Sequence, residues 1–364
     1  MVTETLDRTY SDLPIPPGEL LAEELDARGM TQKELADRTG RPEQTISEII
    51  NGKKAITHDT ALELDKVLGI PAQLWVNLES SYQLTQARNR QLSELERYKD
   101  WLSDFPIKDL QKMGYLPSTT RKSATLQALL SFFGVASFPA LRQWQEALLG
   151  QYRITEGTQV RPGALWAWLR VGDLEAQGIE TEPYDERRFR HVLVEIKKRA
   201  RKPSSELLFE MEGLCASAGV AFVLVKQFNG TGANGVARWL SPNKASIQMS
   251  TMRRYFDIFL FSFLHEAKHI LDREKRKIFV NGVNVDDIAE RDADEFARDF
   301  LVPLEQWKQF VAAEPRSYQA VTSFAAAVGV EPGIVVGRLQ KERVVPYSHL
   351  NKVRTRFVWT RKRR

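Results

Sequence analysis

Residues 255–271 have the sequence YFDIFLFSFLHEAKHIL, in which apolar residues recur at the spacing of an α-helix. Near its end lies the pattern H-E-x-x-H, made by His265, Glu266 and His269, which arises rarely by chance in a chain with only five histidines. Residues four apart on a helix point to one side, so both imidazoles can bind one metal ion. The stretch therefore predicts a metal-binding helix with its apolar stripe in a core and its histidines facing a cleft, and Glu266 is the candidate catalytic base.

The next helical pattern, residues 287–301, offers a third metal ligand. Glu290 and Asp294 are one turn apart on it and face the same way. We expect Glu290 to complete a His₂Glu site for Zn²⁺ with an open water position, and Asp294 to accept a hydrogen bond from a ligand histidine. Glu295 and Asp299 are lower-ranked alternatives because they point away from the small-residue face. Either Glu290 or Asp294 could instead be an ordinary surface carboxylate.

A hydrolytic site of this kind also needs a group that stabilises the developing negative charge on oxygen. The sequence offers four candidates and does not choose among them. They are Tyr255, His191, His349 and Arg298.

Composition limits the class of protein. The chain has 364 residues, 43% of them hydrophobic, which is typical of a globular protein of two or three domains. The one cysteine, Cys215, excludes an intrachain disulfide and favours a reducing compartment. The N-terminus lacks the features of a signal peptide and no apolar run is long enough to span a bilayer, so we expect a cytoplasmic protein without a membrane partner. The net charge of +5 is compatible with a polyanionic partner.

The first 80 residues contain short helical patterns that each end at Gly or Pro. Thr31 and Glu34 form a capping box at the start of the second helix, and Gly40 separates it from the third. The predicted helices are Glu19–Arg28, Gln32–Thr39, Glu43–Asn51, Thr60–Leu68 and one that contains Leu74, Trp75 and Leu78. The second and third helices form the helix-turn-helix arrangement, although a small bundle with a charged surface is an alternative.

A helix-turn-helix module predicts double-stranded DNA as the partner, because the first turns of its second helix meet base edges in the major groove. The exposed candidates for base contacts are Glu43, Gln44, Thr45, Ser47 and Glu48. The candidates for phosphate contacts are Gln32, Arg41, Lys53 and Lys54.

The fold class that these patterns predict is mainly α with a small β-sheet (α+β). Strands are expected at 220–226, 236–240 and 245–250, and the glycine-rich loop 229–235 is expected to be a hairpin turn. The predicted domains are a helix-turn-helix bundle (1–90), a helical connector and middle domain (91–204), a zinc domain (205–345) and a basic tail (346–364). The tail could bind nucleic acid or be a solvated end.

The N-terminal motifs resemble those of HigA-type antitoxins of the Xre helix-turn-helix superfamily, over about residues 14–90. The resemblance is carried by PGELLAEEL (17–25), TQKELA (31–36), EIINGK (48–53), DTALEL (59–64) and LWVNL (74–78). It implies operator binding, usually as a homodimer, and autoregulation of an operon like those that encode a toxin and its antitoxin.

The C-terminal motifs resemble the ImmA/IrrE metallopeptidase family, over about residues 205–345. The resemblance is carried by ASIQMS (245–250), FLHEAKHIL (263–271) and ERDADEFARDFLVP (290–303). It implies a zincin fold, Zn²⁺ bound by His265, His269 and Glu290, Glu266 as the base, and often cleavage or control of a repressor protein. Residues 253–259 depart from the family pattern.

Together these features predict a DNA-binding, antitoxin-like transcriptional regulator whose zinc metallopeptidase-like domain senses or cleaves a protein partner. One alternative is a non-catalytic antitoxin and autorepressor whose metal domain is structural or binds a toxin. A general peptidase is a third, weaker hypothesis.

Overall fold

The computed structural model describes most of the chain. The described residues are 13–149, 160–204, 206–251, 255–273, 279–280, 288–314 and 317–356, with side chains left out for 145–149 and 279–280. The chain divides into two compact units: unit 1 comprises residues 1–100 and 119–127, and unit 2 comprises residues 101–118 and 128–364. The predicted class, mainly α with a small sheet, is confirmed.

Unit 1 begins with the five predicted helices. They are α1 (Pro17–Arg28), α2 (Gln32–Thr39), α3 (Glu43–Ile50), α4 (His58–Leu68) and α5 (Ala72–Leu95). The Thr31 hydroxyl accepts a hydrogen bond from the Glu34 backbone N–H at 3.1 Å, as the capping box predicts. Gly40 ends α2 with φ +67°, a left-handed conformation that glycine adopts without strain. These local signals set the helix ends.

The core of unit 1 is apolar and closely packed. Leu21, Leu35, Ile46 and Trp75 are fully buried in it. Gly18 of α1 lies against the backbone of α3, where a Cβ atom would come 2.2 Å from the Ile49 carbonyl oxygen. The helices can therefore approach this closely only because residue 18 has no side chain.

The remaining helices and all strands follow residue 95. A 3₁₀ helix (Glu96–Asp104) comes first and α7 begins in unit 1. The α-helices are α6 (Ile107–Lys112), α7 (Lys122–Phe133), α8 (Phe138–Leu149), α9 (Pro162–Gln177), α10 (Glu186–Arg199), α11 (Leu207–Ser217), α12 (Phe256–Leu271), α13 (Ile288–Leu301), α14 (Leu304–Ala312), α15 (Tyr318–Val328) and α16 (Pro332–Lys341). The strands are β1 (Val220–Val225), β2 (Gly235–Ser241), β3 (Lys244–Ser250) and β4 (Phe279–Val280), and a 3₁₀ turn covers Asn351–Val353.

The sheet of unit 2 has the strand order β1-β3-β2-β4. β1 pairs with β3 in parallel, while β2 is antiparallel to β3 and to β4. The prediction that loop 229–235 is a hairpin turn was therefore wrong, because β3 lies between the two strands that this loop connects. The tight hairpin is instead between β2 and β3, where Ser241 pairs with Lys244.

Both faces of the sheet are covered. Phe222 and Ile247 belong to the same apolar core as α12, and the Phe222 ring contacts Phe263 at a centroid distance of 5.5 Å. On the opposite face, Gln248 donates to the Trp168 carbonyl of α9 at 2.7 Å, and Arg238 pairs with Asp173 of α9 at 2.9 Å. The polar residues that alternate along β3 are thus buried under a helix.

None of the described helices is by itself long and apolar enough to cross a membrane. Two bent pairs meet the length and composition criteria together: Lys122–Phe133 with Phe138–Trp144, and Tyr318–Val328 with Pro332–Lys341.

Candidate functional site

Helix α12 carries the H-E-x-x-H residues and is buried around most of its circumference. His265 and His269 are each 2% exposed, and Glu266 is fully buried. The prediction that the histidines face an open cleft was therefore wrong. Helix α13 packs against α12, and its acidic side chains contact the histidines.

Glu290 of α13 completes a three-residue cluster with the two histidines. The Nε2 atoms of His265 and His269 are 3.2 Å apart, and the Glu290 carboxylate lies across both, at 3.1 Å from His265 Nε2 and 3.3 Å from His269 Nε2. All three residues are buried. The structure therefore brings together the three predicted ligands from two helices.

The cluster fits a zinc ion by both chemistry and size. Two imidazole nitrogens and one carboxylate are a ligand set typical of catalytic zinc sites. Ligand atoms bound tetrahedrally at about 2.1 Å from an ion lie roughly 3.4 Å from one another. The observed separations of 3.1, 3.2 and 3.3 Å are close to that spacing, with each histidine facing a different oxygen of the Glu290 carboxylate.

Asp294 orients the first histidine. Its Oδ1 atom lies 2.9 Å from His265 Nδ1, so a proton on Nδ1 would leave Nε2 free as a ligand. Its side chain is 49% exposed. The alternative acids differ in position: Glu295 is exposed and Asp299 is half-buried on the same helix.

Charge within the cluster shifts the ionisation of its members in the metal-free protein. Burial opposes protonation of His265, but its hydrogen bonds to Asp294 and Glu290 outweigh burial and raise its pKa. Burial would raise the pKa of Glu290, but the hydrogen bonds with His265 and His269 lower it. Glu290 is thus held as a charged carboxylate next to His265, which carries a positive charge. A bound metal ion would likewise place a positive charge next to Glu290.

Glu266 lies in a different environment from Glu290. Burial raises its pKa to about 8, where the lowering by the positive charge of His265 is opposed by the negative charge of Glu290, and the backbone N–H of Ala237 lowers the pKa only slightly. Within the described residues neither of its carboxylate oxygens forms a hydrogen bond. An acid with this pKa is suited to exchange a proton with water near neutral pH.

Gly235 leaves the space that the Glu266 side chain fills. A Cβ atom at residue 235 would come 2.8 Å from Glu266 Oε1 and 3.0 Å from the sulfur of Met249. Sequence reasoning missed this residue and assigned it to a hairpin loop. The glycine itself was visible, but its partner depends on how β2 packs against α12.

The four candidates for oxyanion stabilisation are dispersed. Tyr255 is the N-cap of α12 and lies ten residues before His265, about 15 Å along the helix axis. Arg298 is exposed and about 12 Å along α13 from Glu290. His191 and His349 are exposed on other elements. Tyr255 and Arg298 are therefore not beside the cluster, and His191 and His349 stay untested candidates.

A buried ion pair holds the N-terminal end of α12, and sequence reasoning missed it. Arg354 donates to both carboxylate oxygens of Asp257, at 3.2 and 2.7 Å, and both side chains are less than 10% exposed. The Phe256 backbone N–H also donates to the Thr355 carbonyl at 3.0 Å. The described part of the predicted basic tail therefore packs on the metal-binding helix, and residues 357–364 lie outside the described residues.

Most of the predicted DNA-contacting residues of unit 1 are on its surface. Those that are exposed are Gln32, Glu43, Gln44, Lys53 and Lys54, while Ser47 and Glu48 are half-buried. Gln44 donates to Glu48 across one helical turn at 2.9 Å. The role of each residue in binding DNA stays a prediction.

Two members of the predicted DNA-contacting set are placed differently from expectation. Thr45 is only 8% exposed, and its hydroxyl accepts a hydrogen bond from Lys54 Nζ at 3.3 Å, so its predicted exposure was wrong. Arg41 is half-buried and forms two hydrogen bonds with Glu63 of α4. The contact of Arg41 with a phosphate stays a prediction.

Comparisons with known proteins identify the class of unit 1. A sequence model of the helix-turn-helix family matches residues 21–75. Antitoxin HigA-1 of Vibrio cholerae is 34% identical over 87 residues, which are 24% of this chain and 82% of that protein. The uncharacterized HTH-type transcriptional regulator YddM of Escherichia coli is 32% identical over 71 residues (20% and 76%), and virulence-associated protein I of Dichelobacter nodosus is 39% identical over 74 residues (20% and 68%).

The chain therefore belongs, through its N-terminal part, to the helix-turn-helix family that includes the HigA-type antitoxins. The metal cluster lies outside the residues that the family model matches. The resemblance of the C-terminal motifs to ImmA/IrrE metallopeptidases stays a prediction.

Proposed function

We propose that this protein is a HigA-type, DNA-binding transcriptional regulator whose second unit is a zinc-dependent, metallopeptidase-like domain that senses or cleaves a protein partner. The observation that carries the metal-dependent part is the convergence of His265, His269 and Glu290, with donor atoms 3.1 to 3.3 Å apart. Relatives that are named as an antitoxin and as a transcriptional regulator support the DNA-binding part.

His265, His269 and Glu290 would hold the zinc ion. A bound zinc ion would supply Lewis acidity, which lowers the pKa of a water and polarises a carbonyl group. Asp294 keeps His265 in the tautomer and orientation that a ligand needs. Glu266, buried next to His265, would be the proton acceptor once the positive charge of a bound zinc ion lowers the pKa of its carboxyl group below about 8.

In the DNA-binding part, α3 would enter the major groove and Gln44 would meet base edges. Exposed Lys53 and Lys54 follow α3 and would contact phosphates. Assembly as a homodimer and binding of a toxin are further parts of the proposal.

The experiment measures metal content and DNA binding on the same protein. Full-length protein purified without chelators should contain about one zinc ion per chain. It should also enrich a defined sequence from a pool of random duplexes, and Gln44→Ala should reduce that enrichment. Absence of zinc would remove the metal-dependent part, and failure to enrich any sequence would remove the DNA-binding part.

A second candidate is a non-catalytic antitoxin and autorepressor in which the metal stabilises the fold or a toxin-binding surface. The near-complete burial of His265, Glu266 and His269 favours it, because a peptide substrate needs access to the reacting groups. Glu266→Gln distinguishes the two candidates. It abolishes processing of a protein partner in the first, and in the second it leaves zinc content, DNA binding and repression unchanged while His265→Ala impairs folding.

A further inference from the structure

Positive charge is distributed unevenly between the two parts of the chain. Residues 1–100, which include the helix-turn-helix, contain 12 Lys and Arg but 18 Asp and Glu. Residues 101–364 contain 40 Lys and Arg and 29 Asp and Glu. The excess of positive charge that suits a polyanionic partner therefore lies outside the unit with the helix-turn-helix.

Helix α10 and the turn after it concentrate this charge. Residues 186–202 contain eight Lys or Arg and two Glu. The apolar residues of α10 face the core of unit 2, and they are Phe189, Val192, Leu193 and Ile196. Most of the basic residues are directed to solvent, whereas Lys197 is half-buried and donates to the Phe300 carbonyl.

The exposed side of α10 carries a continuous basic stripe, which we define as Arg187, Arg190, His191 and Lys198. At 100° per residue these four side chains lie within about 100° of one another, opposite the buried face. All four are exposed. From Arg187 to Lys198 the stripe is about 17 Å long.

The acids near the stripe leave its charge available to a ligand. Arg190 pairs with Glu186 at 3.1 Å, and Lys198 pairs with Glu195 at 2.7 Å. Both pairs are within one turn of the same helix, and the basic side chains are 55% and 58% exposed. Such surface ion pairs contribute little to stability, so phosphate groups can replace the glutamates.

We infer that the basic stripe of α10 binds the phosphate backbone of double-stranded DNA and so gives unit 2 a DNA contact of its own. A duplex presents about ten phosphate charges along 17 Å of its axis. The inference rests on the proposed DNA-binding function for the choice of this polyanion. A lipid surface fits less well because the apolar face of α10 is buried and Val194, 40% exposed, is the one apolar residue within the stripe.

The experiment measures binding of the full-length protein to a fluorescein-labelled duplex of random sequence, about 30 base pairs long, between about 50 and 200 mM salt. The test variant is the triple substitution Arg187→Gln, Arg190→Gln, Lys198→Gln. The matched control removes the same charge from exposed lysines elsewhere in unit 2, by Lys226→Gln, Lys308→Gln, Lys341→Gln. Circular dichroism verifies that both variants are folded.

The stripe variant should bind about tenfold more weakly or worse at low salt, and its log–log salt slope should fall by about 0.9 for each phosphate that the protein no longer neutralises. The control should change much less. Equal reductions in both variants, or none in either, would overturn the inference. The inference would also be overturned if the stripe variant no longer bound vesicles containing phosphatidylserine but bound DNA with unchanged affinity.

A third variant separates this inference from the proposed function. Gln44→Ala in α3 should reduce the preference of the protein for an enriched sequence over the random duplex. If Gln44→Ala has no effect on sequence preference, the proposed role of the helix-turn-helix fails. Only the affinity for the random-sequence duplex tests the role of the basic stripe.

Discussion

The helix-turn-helix of unit 1 and the metal cluster of unit 2 differ in the range of the contacts that fix them. In unit 1 the helix ends are set within a few residues, as where the Thr31 hydroxyl caps Glu34. In unit 2 the cluster joins His265 to residues 25 and 29 positions away. Local sequence can therefore specify the helix ends of the first region, whereas the cluster of the second exists only when two helices pack correctly.

Removal of a ligand should have the largest effect and should be confined to the cluster. We expect His269→Ala to lower zinc affinity by more than about 100-fold, because the ion loses one of its three protein ligands. Substitution of a residue that only hydrogen-bonds to a ligand typically lowers metal affinity by about 10- to 100-fold. Competition with a chromophoric chelator measures the affinity. His191→Ala, an exposed histidine of α10, is the control, and equal reductions in the two variants would contradict the site.

The Asp257–Arg354 pair should stabilise unit 2 through a long-range contact. Asp257→Ala leaves the Arg354 charge buried without its partner, which costs about 3–5 kcal/mol. Chemical denaturation measures the decrease in unfolding free energy. Glu305→Ala breaks an exposed pair with Lys308 and should have little effect, so a comparable decrease there would show that burial is not the cause.

Glu266 should make the metal-free protein less stable as pH rises. Its folded-state pKa of about 8 lies above the ordinary value of 4.5, so the folded state holds the proton more tightly. The unfolding free energy should fall between pH 4.5 and 8, by up to about 1.4 kcal/mol per pH unit. Glu266→Gln should remove the contribution of Glu266 to this dependence, while that of His265 remains above pH 6.5, and it should be more stable than the natural sequence at pH 8. If the unfolding free energies of the two proteins changed equally with pH in the presence of a chelator, the raised pKa of Glu266 would be refuted.

Gly18 tests whether unit 1 depends on local signals alone. Gly18→Ala should destabilise unit 1 by about 1–3 kcal/mol, because its Cβ atom would overlap the Ile49 carbonyl. Thermal unfolding followed by circular dichroism measures the change. In Gly213→Ala, the matched control, the new Cβ meets open space in α11, and stability should rise by up to about 1 kcal/mol.

The capping box should contribute the smallest effect. Thr31→Ala removes the oxygen that accepts the Glu34 N–H, at a cost of about 1 kcal/mol. Thr31→Ser keeps a hydroxyl and should retain most of the stability. Equal unfolding midpoints for the two variants would show that the cap does not fix the start of α2.

The sequence predicted the helices and strands more accurately than it predicted the contacts and exposure of their side chains. The helices of unit 1 and the strands of unit 2 follow local periodicity, and the structure has them within a few residues of the expected bounds. The exposure of Thr45 and the hairpin at 229–235 were wrong. Each of these depends on contacts with residues that the local pattern does not contain, such as Lys54 for Thr45.

The sequence by itself determined the helix-turn-helix and the identity of the side chains that form the cluster. Caps, left-handed glycines and apolar periodicity act over about four residues, so they can be read along the chain. Only the tertiary structure decided that α13 covers the histidines, that Gly235 leaves room for Glu266, and that Arg354 anchors the start of α12. Those features depend on residues that are distant in the sequence but pack together in the core, where an unpaired charge is energetically unfavourable.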